Sequence, residues 1–386
     1  MQSDQLTPSD PASTNAAVAQ ARVLAHYLPQ FHPVVENDEF WGPGFTEWTS
    51  VAGSRPRFKG HEQPELPGEL GFYDLRLPET RQAQAELART HGVEAFLYWH
   101  YWFEGKRILQ RPFNDVLNSG QPDFPFGLAW ANHSWTQVWK GRPNEVIIKQ
   151  TYPGPEDTRR HFATLEPAFH DERYIRVNGK PLFFLFRPDE IPDLPETLDL
   201  WRTLAEQSGL GGLHITGRVE GFWARKAADR VSTALDSVTD HSLGYAIGTT
   251  DTSGLAYRLR RKLMGERAAR VQVHSYDQAV LTIPRLFPGA RNSYPTVIPG
   301  WDSTPRHAER GLVLHGRTPE AFERMMSHAI DLVRERDIDD RIIFLKSWNE
   351  WAEGNFIEPD RKWGRDFLVA CRRAVFADPS TPLRTS

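Results

Sequence analysis

EAFLYWHYWF, residues 94–103, is a nearly unbroken aromatic and aliphatic run. Short apolar runs of this kind, rich in aromatic or β-branched residues, read as buried strands. Seven more occur: 22–31 (RVLAHYLPQF), 125–132 (PFGLAWAN), 180–187 (KPLFFLFR), 212–219 (GLHITGRV), 234–240 (ALDSVTD), 292–301 (NSYPTVIPGW) and 341–348 (RIIFLKSW). Helical patterns lie between most of them. Residues 78–91 open on Pro78 and stop before Gly92, a start and stop pair. Residues 318–336 open with Thr318-Pro319 and place Phe322, Met326, Ala329, Ile330 and Val333 on one face. Eight strands alternating with helices predict a (β/α)8 TIM barrel, a single domain over 21–377 with long βα loops. The polar stretches 1–20 and 378–386 are expected to be disordered tails. The sixth strand is the weakest, and 241–291 is ambiguous.

Composition narrows the class. The chain of 386 residues is 39% hydrophobic, which supplies a large core. Its 46 Lys+Arg against 50 Asp+Glu give a net charge of −4, without the basic excess of a general nucleic-acid binder. The single cysteine, Cys371, excludes an internal disulfide and a thiolate zinc cluster. Trp (13) outnumbers Tyr (10), and an indole N–H needs a partner wherever it is buried. The surplus points to flat amphipathic ligands, sugars first among them.

In such a barrel, chemistry sits at the C-terminal ends of the strands. Polar and aromatic residues crowd there in this sequence. His26, Tyr27 and Gln30 follow the first strand, and Trp99, His100, Tyr101 and Trp102 lie at the second. Trp130, Asn132, His133 and Trp135 follow the third, Arg187 the fourth and Glu220 the fifth. Trp301 and Asp302 end the seventh; Trp348, Asn349, Glu350 and Trp351 end the eighth. Packing between strands and helices explains any one tryptophan equally well. The set on one rim favours a surface on which pyranose rings stack. Glu47-Trp48, in the long first loop, reads as a lid or subsite wall, or as packing. Asp302 reads equally as a ligand for a sugar hydroxyl or as a cap. His26, His32, His100, His133 and His241 lack metal-ligand spacing, so no metal is expected. His100 is the best placed of them for a substrate hydroxyl.

The strongest chemical signal is Trp348-Asn349-Glu350-Trp351-Ala352-Glu353-Gly354. Two carboxyls three positions apart come to about 5–6 Å between Cβ atoms if the chain turns helically. Retaining glycosidases hold their two carboxyls about 5–5.5 Å apart. Like charge and burial among indoles push two such pKa values apart, giving one acid and one base. Gly354 permits a sharp turn after the second Glu. E-x-x-E is common on solvated helices, but solvated faces rarely carry two flanking tryptophans.

These residues, with YLPQFHP (27–33), ENDEFWGPGFTEW (36–48), FKGHEQPELP (58–67), GFYDLR (71–76), YWHYWFEGKR (98–107), FPFGLAWANHSWT (124–136), PGWDSTPR (299–306) and WNEWAEGNFIEPD (348–360), resemble the WbsX-like family over about 22–372. That family is associated with polysaccharide and lipopolysaccharide biosynthesis and carries a glycosyltransferase label. More distantly, N-E-W-x-E-G followed by Ile357-Glu358 is similar to the endo-α-mannosidases and endo-mannanases of glycoside hydrolase family 99. The resemblance implies a (β/α)8 barrel, and adds Glu358 to the site. It implies Glu350 as base on the sugar 2-hydroxyl, forming an anhydrosugar with retention, and Glu353 as acid/base, with no cofactor. The sequence departs from the family at His133, where an acidic residue is usual, and at Trp139-Lys140-Gly141, where W-D-G is. Those replacements should alter which hydroxyls are read, or favour an anionic sugar.

A retaining glycoside hydrolase or transglycosylase acting by two carboxylates on an α-linked glycosyl unit of a bacterial oligo- or polysaccharide is therefore expected. A nucleotide-sugar glycosyltransferase and a non-catalytic glycan-binding barrel are the alternatives. The D-x-D that metal-dependent transferases use occurs only at Asp337-Ile338-Asp339, ahead of the eighth strand, and reads as a solvated turn. No G-x-G-x-x-G follows a strand. Residues 255–270 (LAYRLRRKLMGERAAR) read first as a solvated insertion helix and second as weak attachment to an anionic membrane surface. Residues 1–20 lack a basic n-region and an apolar h-region, so a cytoplasmic location is expected, at most peripheral to the membrane.

Overall fold

A computed structural model describes residues 18–137, 142–219, 233–239, 243, 271–283 and 292–377. Eight parallel strands form the central sheet: β1 (Arg22–Tyr27), β2 (Ala95–His100), β3 (Phe126–Trp130), β4 (Lys180–Leu185), β5 (His214–Arg218), β6 (Ser237–Thr239), β7 (Ser293–Tyr294 and Thr296–Val297) and β8 (Ile342–Leu345). Each pairs in parallel with its neighbour in sequence, and β1 pairs with β8. The seventh strand closes the ring in two pieces. Ser293–Tyr294 pairs with β6 and Thr296–Val297 with β8. Pro295 divides them because it has no N–H to give; its carbonyl accepts the Phe344 amide at 2.9 Å. The continuous seventh strand expected over 292–301 is corrected accordingly. The first two strands also stop short of the runs that announce them. The Leu28 amide turns to Asn349 Oδ1 (2.7 Å), and Glu104 and Gly105, both at positive φ, bend the chain soon after β2.

Helices lie outside the ring. Pro78–Thr90 begins on its proline as the sequence predicts. In Pro319–Val333, the Thr318 side chain accepts the Ala321 amide, and Phe322, Met326, Ala329, Ile330 and Val333 are all buried. Within the 241–291 region, Gln272–Ser275 pairs with Leu312–His315 outside the barrel, and helix Tyr276–Thr282 follows. The basic stretch 255–270, His241, residues 1–17 and the 378–386 tail lie outside the described residues. Among the described residues, no helix is long and apolar enough to cross a membrane.

Strand side chains alternate between the barrel interior and the helical layer. Leu24, Leu97, Ala129, Leu182, Phe184, Ile342 and Phe344 form the inner cluster. Val23, Ala25, Phe96, Leu128, Phe183, Ile215 and Ile343 belong to the outer one. One step further along the inner parity come His26, Trp99, Ala131, Phe186, Arg218 and Lys346, at the C-terminal mouth.

Candidate active site

A cavity of about 320 Å³ opens at that mouth. It is lined by the inner-parity residues Trp99, Ala131, Phe186, Arg218 and Lys346, and by residues the loops bring over them. The first loop contributes Leu28, Gln30, Asn37 and Trp41; Tyr101, His133, Ser134, Trp135 and Ile147 come from the loops after β2 and β3. Trp301, Arg306 and His307 follow β7, and Glu350 and Glu353 follow β8.

Glu353 ends a single 3₁₀ turn, Trp351–Glu353, which begins right after Glu350. Both side chains line the same cavity. Gly354 ends it at φ 56°, and a Cβ there would lie 2.7 Å from the Asp302 backbone nitrogen. The Asp302 amide donates to the Glu353 carbonyl at 2.6 Å, pinning the turn to the loop after β7. The sharp turn expected at Gly354 is present.

Arg306 organises the charge. Its Nη1 donates to Glu353 Oε1 at 2.5 Å and its Nη2 to Glu47 Oε1 at 2.9 Å. Glu47 is fully buried and also accepts the Ala352 amide at 2.9 Å. Burial opposes the guanidinium charge, but Glu47, Glu353 and Glu350 outweigh it and raise the Arg306 pKa. Burial raises Glu47 as well. Glu350 has a different setting. Asn355 Nδ2 donates to its Oε2 at 3.2 Å. Burial first, and the charge of Glu353 second, push its carboxyl up to about 8, against the pull of Arg306 and Lys346. Burial, then Arg218 and Arg187, hold His133 down at about 4, so it is neutral at pH 7.

Of the residues singled out from sequence, the structure brings Gln30, Trp99, Tyr101, His133, Trp135, Trp301, Glu350 and Glu353 together around this cavity. The others stand elsewhere. His26 lies beneath, its ring 4.7 Å from Trp99. Tyr27, His100 and Trp130 have the outward parity. Tyr27 donates to Gln84, His100 Nε2 meets His161 Nε2 at 2.8 Å, and Trp130 stacks with Trp201. The placement of His100 for a substrate hydroxyl is thus corrected. Trp102 donates to Asp157, and Trp48 donates to the Tyr73 carbonyl while packing on Trp351. Asn132 braces Tyr152 and the Arg187 backbone, and Arg187 itself pairs with Asp189 and Glu190. Asp302 accepts His61, Gln63 and Thr304 beside a separate cavity. Glu358 is a buried hub that accepts Trp348 Nε1, Trp351 Nε1, Tyr73 Oη and Gln84 Nε2. Asn349 ties the loop after β8 to Leu28. Glu220 and Lys140 lie outside the described residues. The indole rim therefore reduces to Trp99, Trp135 and Trp301, joined by Trp41.

Trp41, Phe186, Arg218, Arg306 and Lys346 were not singled out by the sequence reading. A count by twos from Thr216 and Phe344 would have found Arg218 and Lys346; no local pattern announces Trp41 or Arg306.

The model of the family described as glycosyltransferase WbsX matches residues 23–371. The chain belongs to the WbsX family. It is 33% identical over 366 residues to the uncharacterised protein WxcX of two strains of Xanthomonas campestris pv. campestris, with 93% of this chain and 50% of theirs covered. This WbsX-family chain thus spans about half the length of the curated relatives it matches. Among solved structures, a glycoside hydrolase-like protein aligns with TM-score 0.61 at 15% identity, over 95% of this chain and 97% of that one. The GH99 endo-alpha-mannosidase from Bacteroides thetaiotaomicron aligns with TM-score 0.54 at 15% identity, over 93% and 97%. These likenesses show the barrel fold, in agreement with the eight-strand reading.

Proposed function

We propose that this WbsX-family chain acts on a glycosidic bond of a bacterial oligo- or polysaccharide, with retention, through Glu350 and Glu353. The observation that carries the proposal is the placement of both carboxyls, one just before a short 3₁₀ turn and one at its end, in a single indole-lined cavity. Burial and mutual repulsion leave the pair one proton that two isolated carboxyls would have lost. One acid and one base at the same bond is what retaining chemistry requires. The resemblance to the family 99 hydrolases assigns the division of labour. Glu350 takes the proton of the sugar 2-hydroxyl as that oxygen bonds to C1 and the glycosidic C–O bond breaks. Glu353 gives its proton to the leaving oxygen. In the second half, Glu353 takes a proton from water as it attacks C1, and Glu350 returns its proton to O2. Arg306, anchored by Glu47, fixes the position of Glu353. This division of labour requires Glu350 to be ionised when it engages the hydroxyl.

Transfer rather than hydrolysis is the second reading, favoured by the family's description as a glycosyltransferase. Asp337-Ile338-Asp339 supports it poorly: the turn Ile338–Asp340 precedes β8, at the end of the barrel away from the cavity, and its Asp339 pairs with Arg22. Screening bacterial surface polysaccharides with and without sugar nucleotides separates the readings. Release of new reducing ends without a nucleotide, lost in Glu350→Gln and Glu353→Gln, is the expected result. A strict nucleotide requirement would establish transfer, and release unchanged in both variants would refute the two-carboxyl site.

A further inference from the structure

The cavity floor carries two cations beside aromatic faces. Arg218, at the end of β5, is 8% exposed, and its guanidinium lies 3.8 Å from the Phe186 ring centroid. Lys346, the first residue after β8, has its ammonium 5.0 Å from the Trp301 centroid. All four side chains line the cavity, and Phe186 also meets the ring of Trp99 at 5.3 Å. Arg306 also lines the cavity and pairs with Glu47 and Glu353. The field of the two floor cations reaches their neighbours. It adds to burial in holding His26 neutral, and Lys346 also pulls on Glu350.

We propose that the sugar residue bound here is acidic: its carboxylate meets Arg218 and Lys346 while its ring lies against Trp99 and Trp301. The inference rests on the cavity being a glycan site and adds the class of sugar. An Arg fork matches a carboxylate in two parallel hydrogen bonds, and a ring stacked beneath the guanidinium keeps the fork in one plane. Lys346, whose charge already acts on Glu350, screens the negative charge the substrate would bring to the carboxyl pair. His133, kept neutral in part by the charge of Arg218, and Ser134 line the same cavity.

The test is equilibrium binding to the full chain, read by tryptophan fluorescence and saturation-transfer NMR. The probes are methyl α-glycosides in matched pairs: glucuronic acid with glucose, galacturonic acid with galactose, and mannuronic acid with mannose. UDP, whose diphosphate is also anionic, is the fourth probe. At least one uronate should bind about tenfold or more tightly than its neutral partner, the scale of a hydrogen bond to a charged group. Arg218→Gln and Lys346→Met should each bring that pair together, and Arg218→Lys, which keeps the charge, should retain part of the preference. Equal binding within every pair, no binding of any glycoside, or UDP bound more tightly than every uronate overturns the proposal. The broader reading fails differently, through polysaccharide turnover that ignores Glu350→Gln and Glu353→Gln.

Discussion

Glu350 and Glu353 sit three residues apart, yet their partners differ in charge. Arg306 engages Glu353, whereas the neutral Asn355 donates to Glu350. A base that must take a hydroxyl proton works best when its own proton affinity lies near the working pH, and burial has raised that of Glu350. Glu353→Gln is expected to lower kcat by roughly 10²–10⁴, most for poor leaving groups, and Glu350→Gln by a comparable factor. Near-wild-type rates for either variant would remove the assignment. The same coupling predicts a bell-shaped pH profile for kcat/KM. Activity rises as the pair loses its first proton and falls as pH passes about 8, where the second leaves. Glu353→Gln takes away one like charge, so the Glu350 titration, followed by ¹³C NMR of its carboxyl, should move toward lower pH. An unmoved or higher titration would show that the two groups do not interact.

The Trp351–Glu353 turn is the element on which this placement depends. Gly354→Ala would force a left-handed φ on a residue with a Cβ and bring that atom to 2.7 Å from the Asp302 backbone nitrogen. Strain of this kind costs roughly 1–3 kcal/mol before the clash is counted. A lowered melting temperature and a kcat reduced at least about tenfold are expected, since small misplacements of reacting groups are costly. A variant with wild-type kcat would mean that the turn does not position the pair. The E-x-x-E pattern made this element legible, because its three-residue spacing spans the short turn that separates the two carboxyls. Strand ends were legible only in part. Tyr27, His100 and Trp130 lie at the right height of the barrel but on outward positions, and reading rim height without strand parity placed them in the site. Arg218 and Lys346 had the right parity, but each is one charged residue at the end of an apolar run. Arg306 and Trp41 reach the cavity from loops far apart in sequence, and nothing in their local pattern records that approach.

At the scale of the molecule, eight apolar runs were enough to read the barrel, and closure through β7 is the part they did not show. Pro295 breaks a strand that would otherwise be continuous, and the ring still closes because each half pairs with a different neighbour. The fold also bears the cost of its site. Glu350 has a folded-state pKa raised above its ordinary value, so the folded chain holds that proton more tightly than the unfolded chain. Its contribution to stability is largest below the ordinary carboxyl range and is lost as pH rises toward about 8. Glu350→Gln, which stays neutral, should therefore leave the melting temperature near wild type at pH 5 and raise it at pH 9; a fall at pH 9 would contradict the burial argument. The central claim, that this barrel uses the two carboxyls to open a glycosidic bond with retention, is tested most directly by ¹H NMR of a turned-over surface polysaccharide during the first minutes of reaction. With no sugar nucleotide present, the newly released reducing end should appear first as the anomer of the bond that was cleaved. First appearance of the opposite anomer would contradict the account, as would release that persists in Glu350→Gln.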